Sequence, residues 1–280
     1  MIRLLSIICN KGHHSDLRSV SEAPLGRVCV GLLVAVVVCM ALPSHAQSYS
    51  YLPAVPANYQ SKVTSIVHHK NFSLLYDSRY NTPTWVAWAL TKAHTYGSQE
   101  RSDKFFADPS IPKGYRVDWY EYKDSNYDRG HMCPAGDNKW DRSAMIECFY
   151  MSNMCPQDRE LNHHSWNNLE VACRDWARTE GTIYIVCGPV YKKGVKHAVI
   201  GIHHKIQVPE GFFKAVLSLR KGHEKAIAFY YDNNAKYQSY NKVYTTVDKI
   251  EAMTGLDLFA NIPADIEKRV EATANIKDWK

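Results

Sequence analysis

The stretch "DRGHMCPAGD", residues 128–137, sets Asp128, Arg129 and His131 around Gly130 within four positions. Further along, Asn162, Trp166, Glu170 and Arg174 recur at every fourth residue. On an α-helix such a series drifts by only about 40° per step, so an amide, a carboxylate and a guanidinium line one side. Any one of these residues alone reads as an ordinary solvated helix face. Together they supply what hydrolysis of a phosphodiester needs: a base for the water, a Lewis acid for the leaving oxygen, and cations for the phosphoryl charge. His131, with an ordinary imidazole pKa of about 6.5, is mostly neutral at pH 7 to 8 and can be the base. Asn162 offers a hard carbonyl oxygen to Mg²⁺, an ion that keeps most of its waters and takes few protein ligands. Glu170 can hold one of those waters, while Arg129 and Arg174 can meet phosphate oxygens in bidentate geometry.

Those residues need a scaffold. "FSLLYDSRYNTPTWVAWALT" (72–91) reads as two strands around a polar turn containing Pro83. Strand signals return at 182–191, 211–220 and 225–231, which are rich in β-branched and aromatic residues, and "CFYMSN" (148–153) suggests another short strand. Residues 159–179 have helical period, with Leu161, Leu169, Ala172, Cys173 and Trp176 as the apolar stripe. "TVDKIEAMTG" (246–255) predicts a helix stopped by Gly255. Mixed strands and helices without βαβ regularity imply an α+β fold, an antiparallel-rich central sheet flanked by helices, rather than a doubly wound one.

At the N-terminus, the 15 residues Val28–Leu42 form an apolar run after Arg27 and lead into "PSHAQ". That is the pattern of a signal peptide with a long leader over residues 1–46, cleaved before Gln47; a spanning helix would need about 20 apolar residues. The expectation is an exported protein, periplasmic or extracellular, with no stable membrane association after cleavage. The remaining 234 residues suit one domain over 47–280, and no repeat or linker divides them. Arg3, Lys11, Arg18, Arg27, Asp16 and Glu22 leave with the leader, so the net charge falls from +6 to +4. That balance is compatible with a polyanionic substrate without demanding one. Cys133, Cys148, Cys155, Cys173 and Cys187 stay behind, an odd set with no C-x-x-C pair, so a structural zinc site has little support.

The chain resembles the DNA/RNA non-specific endonuclease family, within the ββα-metal (His-Me finger) nucleases. "DRGH" matches its signature, and "NMCPQDRELNHHSWNNLE" (153–170) matches its second block. Flanking matches run from "TPTWVAWALT" and "ERSDKFFADP" to "CGPVY", "VPEGFFKAVL" and "TGLDLFANIP", covering about residues 68–270. The resemblance implies a ββα-metal catalytic motif, His131 as general base and Asn162 as the direct ligand of Mg²⁺, with Mn²⁺ as a substitute. It further implies Glu170 as a water-mediated ligand, Arg129 and Arg174 at the phosphate, Arg101 as a transition-state arginine and Asn153 as a scaffold of the site. The partners implied are DNA and RNA, held through the phosphate backbone. Homodimer formation and any inhibitor stay open.

Two further readings stand beside this one: a phosphodiesterase acting on nucleotides or nucleotide pyrophosphates, and a catalytically dead protein of nucleic-acid binding or uptake. Adjacent histidines at 68–69, 163–164 and 203–204 point to different sides of their elements and do not chelate one ion easily. The 18 tyrosines and 7 tryptophans read as core rather than as a base-stacking platform; Trp166, beside the proposed metal face, is the one candidate for stacking.

Overall fold

Long strands that are apolar on both faces decide the architecture, because each face must be covered. A computed structural model describes residues 51–280, so the leader expected over residues 1–46 lies outside the described residues. In chain order the strands are β1 (Val67–His68), β2 (Phe72–Asp77), β3 (Thr82–Thr91), β4 (Asp128–His131), β5 (Met154–Gln157), β6 (Thr182–Val190), β7 (Val199–Ile200), β8 (Ile206–Gln207), β9 (Gly211–Ser218), β10 (Lys225–Asp232) and β11 (Tyr244–Thr245). The α-helices are α1 (Arg142–Glu147), α2 (Asn167–Glu180), α3 (Tyr240–Val243), α4 (Val247–Thr254) and α5 (Ala264–Glu271).

Seven strands form one sheet in the order β1-β2-β3-β6-β9-β10-β11, and every neighbouring pair is antiparallel. The fold is thus α+β with an antiparallel sheet flanked by helices. In β9, all eight residues are buried. Phe212, Lys214 and Val216 alternate with Phe213, Ala215 and Leu217, so the two sets face opposite ways. Phe212 and Val216 join Trp88, Trp166 and the stripe of α2 in one core. Phe213, Ala215 and Leu217 join Val247 and Ile250 of α4 and Val270 of α5 in the other. Among the described residues, no helix is long and apolar enough to cross a membrane.

The helix stripe of Leu161, Leu169, Ala172, Cys173 and Trp176 is buried as its period predicts. Truncating Leu169 to alanine there would cost about 2–5 kcal/mol. Gly181, at φ 84°, ends α2 by donating its N–H to Ala177. The α4 helix begins with the Thr246 side chain accepting from the Lys249 N–H and ends at Gly255, at φ 74°.

Two local expectations need correction. Residues 148–153 are not a strand: the chain turns after α1, makes one isolated bridge from Tyr150 to Phe106 and a 3₁₀ turn at Met151–Asn153, and forms a strand only from Met154. The Asn153 side chain holds that bend, accepting from the Cys133 N–H at 2.9 Å and donating to the carbonyls of Cys133 and Cys148. Pro83 lies in β3, opposite Tyr76, and not in the turn. The register slips between Leu75 and Tyr76, and such an irregularity tolerates a residue without an N–H. All five cysteines in the described residues are free thiols and all are buried.

Candidate active site

Strands β4 and β5 pair antiparallel away from the main sheet, from Asp128 opposite Gln157 to His131 opposite Met154. Gly130 is required where β4 meets β5, since a Cβ there would come within 2.6 Å of Gln157 Cβ. After β5 the chain enters a π-helical turn, Leu161–Trp166, that runs directly into α2. The indole N–H of Trp166 donates to the carbonyl of His131 at 3.2 Å, so strand and helix are tied at the residue of interest.

His131 is 7% exposed. Its ring meets the edge of Phe149 at 4.7 Å between centroids and lies 5.7 Å from Phe105. Burial first, then the nearby charges of Arg101 and Arg129, push its pKa down to about 3, so the imidazole is neutral through the whole working range. Its Nε2 is buried with no hydrogen-bond partner in the protein. The two guanidiniums are themselves placed by aromatic rings: Arg129 sits 4.3 Å from the centroid of Phe105 and Arg101 5.1 Å from that of Phe149.

In the same cleft, Asn162 sits on the π turn. Its Nδ2 donates to Asp128 Oδ2 at 3.0 Å, and His163 Nε2 lies 3.0 Å from the same oxygen. Asp128 therefore fixes the amide through its nitrogen and leaves the carbonyl oxygen as the free end. Glu170 lies on α2 with Arg174 one turn beyond. Burial raises the Glu170 carboxyl to about 7, opposed by the charges of Lys214 and Arg174. Arg174 donates to Asp137 Oδ1 at 2.9 Å, and the Trp88 indole donates to the other oxygen at 3.1 Å.

These side chains line a cleft of about 500 Å³, to which Arg101, Arg129, Lys139 and Arg174 bring positive charge around Glu170. Of the residues expected from sequence, His131, Arg129, Arg101, Asn162, Glu170 and Arg174 meet there. Asn153 does not; it is fully buried and shapes the bend before β5. Trp166 is not a stacking surface either. It is 1% exposed, with Lys214 Nζ 4.3 Å from its ring. The wider i→i+5 turn changes the rotation per residue and carries Trp166 inward.

Lys139 and Asn167 also line the cleft, and Asp137 and Lys214 lie buried beneath it. None was singled out from sequence, although Lys214 breaks an apolar alternation in β9 and Asp137 closes the quoted stretch. The donor set fits a hard cation: the free amide oxygen of Asn162 and the Glu170 carboxyl both offer oxygen donors to the cleft. A second cleft, of about 430 Å³ and lined by Tyr59, Arg79, Tyr191 and Met253 among others, contains none of these residues.

Comparison with known proteins shows which family the chain resembles. The mitochondrial nuclease EXOG of Xenopus laevis is 40% identical over 167 residues, 56% of this chain and 46% of that protein. The chain thus spans about half the length of that relative. Mitochondrial endonuclease G of Bos taurus is 31% identical over 227 residues, 77% of this chain and 76% of that protein. Among solved structures, a complex of EndoG with EndoGI, described as showing the mechanism of EndoG inhibition, superposes with a TM-score of 0.66 at 28% identity. It covers 74% of this chain and 89% of that one. The model of the DNA/RNA non-specific endonucleases matches residues 54–265, nearly all of the described chain, and the chain belongs to that family.

Proposed function

We propose that the protein is an exported, Mg²⁺-dependent endonuclease that hydrolyses phosphodiester bonds of DNA and RNA without sequence specificity. The observation that carries this reading is the meeting in one cleft of a neutral His131, its Nε2 unpartnered, and an Asn162 amide whose oxygen is left free by Asp128. Asn162, with Glu170 through water, would hold the ion, which when bound supplies Lewis-acid stabilisation of the leaving oxygen. His131 Nε2 takes a proton from the attacking water, and its burial keeps it unprotonated and ready. Arg101, Arg129 and Arg174 face the non-bridging oxygens and offset the charge that grows there. The β4–β5 pair and the Trp166 bond to the His131 carbonyl hold base and helix in register, as in-line attack requires. As a pair of strands followed by a helix, this unit is the ββα-metal motif in our reading.

Contacts made by guanidiniums to phosphates carry no base information, so cutting should be nearly independent of sequence and should weaken with salt. The test is incubation of the purified protein with plasmid, RNA and a chromogenic nucleotide ester, with and without Mg²⁺. Degradation of both polymers, abolished reversibly by chelator, is expected; cleavage of the ester alone, or polymer cutting in excess chelator, would refute it. Export is tested by cell fractionation with N-terminal sequencing, where a soluble exported form beginning at Gln47 is expected.

A further inference from the structure

The far face of the sheet carries a second group of oxygens that the nuclease reading does not use. Asp248 and Glu251 stand three residues apart on α4, hence on one side of it, and Glu271 is the last residue of α5. One carboxylate oxygen from each lies within 4.8 Å of the other two. Asp248 alone would be an ordinary acid in the first turn of a helix. Glu271 is different: it is 5% exposed, and its Oε1 is buried with no hydrogen-bond partner in the protein. Glu251 spends one oxygen on the N–H of Leu258, at 2.7 Å, which leaves the other. The basic residue nearest in sequence to Glu271, Arg269, pairs with Glu224 at 3.3 Å instead.

We propose that Asp248, Glu251 and Glu271 form a site for a calcium-class divalent cation that ties α4 to α5. Three carboxylates cluster here, one of them buried and unpartnered, and among the described residues no lysine or arginine forms an ion pair with any of them. All the donors are hard oxygens, with no sulfur or imidazole, which disfavours zinc. Glu271 sits at the C-terminal, negative end of the α5 dipole, which favours a cation there. Calcium accepts six to eight oxygens in flexible geometry, whereas Mg²⁺ insists on an octahedron and gives up its waters reluctantly. Burial, then the charges of Glu251, Glu267, Asp248 and Asp257, raise the Glu271 carboxyl above the usual carboxylate range. The site is independent of the cleft: Val247, Ile250 and Val270 pack these helices on the face of the sheet opposite α2.

The full chain carrying Asn162→Ala, which removes the cleft's own ligand, is titrated with Ca²⁺ and with Mg²⁺ at pH 7.5, by calorimetry and by thermal unfolding. One Ca²⁺ per chain is expected, with a Kd of about 10⁻⁵–10⁻³ M, and a Tm raised by about 5–10 °C at a hundredfold excess over Kd. Mg²⁺ should do less. Adding Glu271→Gln or the exposed Asp248→Asn should remove both signals while leaving the protein folded at 20 °C. If Glu271→Gln proves unfolded, the Asp248→Asn result decides. Absence of a Ca²⁺ effect in the Asn162→Ala protein would overturn the proposal, as would an equal effect in both acidic-site variants. So would a Tm raised by Glu271→Gln with Ca²⁺ inert, since the carboxyls would then share a proton instead.

Discussion

Replacing His131 with glutamine removes an imidazole that the fold keeps from water beside two guanidinium groups. In the unfolded chain this histidine titrates near its ordinary 6.5, and in the folded protein near 3. Between those values the unfolded state binds a proton that the native state refuses, so native stability falls as pH falls and is fully present above about 6.5. Taking the protein from pH 7.5 to pH 4.5 crosses two units of that window. At 1.36 kcal/mol per unit, His131 alone should cost the wild type about 3 kcal/mol over the step. Because His131 is only 7% exposed, solvent screening takes little from this figure. The assay is urea unfolding without divalent cations at the two pH values, for wild type and His131→Gln. The wild type should lose about 3 kcal/mol more than the variant, while the variant's cutting rate at pH 7.5 falls by about 10²–10⁴. Equal losses of stability would show that the imidazole is not held neutral by burial, and an unchanged cutting rate in His131→Gln would remove it as the base.

Arg174→Met should take the ion-pair partner from buried Asp137 and leave it the Trp88 N–H and the charge of Lys214, lowering stability by about 1–3 kcal/mol in urea titrations. Asp137→Asn in the same chain should recover part of that loss without restoring cutting. Gly130→Ala forces β4 off Gln157 and should cost about 1–3 kcal/mol by thermal unfolding, with a drop in kcat because His131 rides on the same strand. Arg101→Ala should weaken binding of duplexes of unrelated sequence alike, measured without Mg²⁺. The slope of log K against log salt should become shallower by about one unit. A sequence-dependent loss would place Arg101 on the bases instead.

What could be read from the sequence follows from what kind of signal each residue leaves. The strip from Asn162 to Arg174 is visible because a helix repeats at nearly four residues, and the stripe beneath it is visible for the same reason. Trp166 shares that spacing and yet turns inward, because a single π turn breaks the period locally and leaves no mark in composition. Asp137 and Lys214 are legible only as polar residues in apolar company; that each neutralises the other's surroundings beneath Glu170 requires three elements to be assembled first. The bend at Asn153 was hidden because its partners, Cys133 and Cys148, lie 20 and 5 residues away. The nearly continuous apolar run of β9, by contrast, is plain in "GFFKAVLS", and so is a strand buried on both faces.

The five buried cysteines bear on how the protein survives its surroundings. Burial raises the thiols of Cys173 and Cys187 to about 12, and those of Cys133, Cys148 and Cys155 also rise, so the native molecule presents almost no thiolate at neutral pH. With no bridge to form or lose, the described fold does not depend on the oxidising power of the medium. Alkylation then becomes a record of opening. Cys173 becomes reactive when α2 lifts from the sheet, Cys155 when β5 leaves β4, and Cys187, on the central β6, only when the sheet itself comes apart. Peptide-resolved labelling would therefore time the loss of the cleft and the loss of the sheet in one experiment, without an introduced probe.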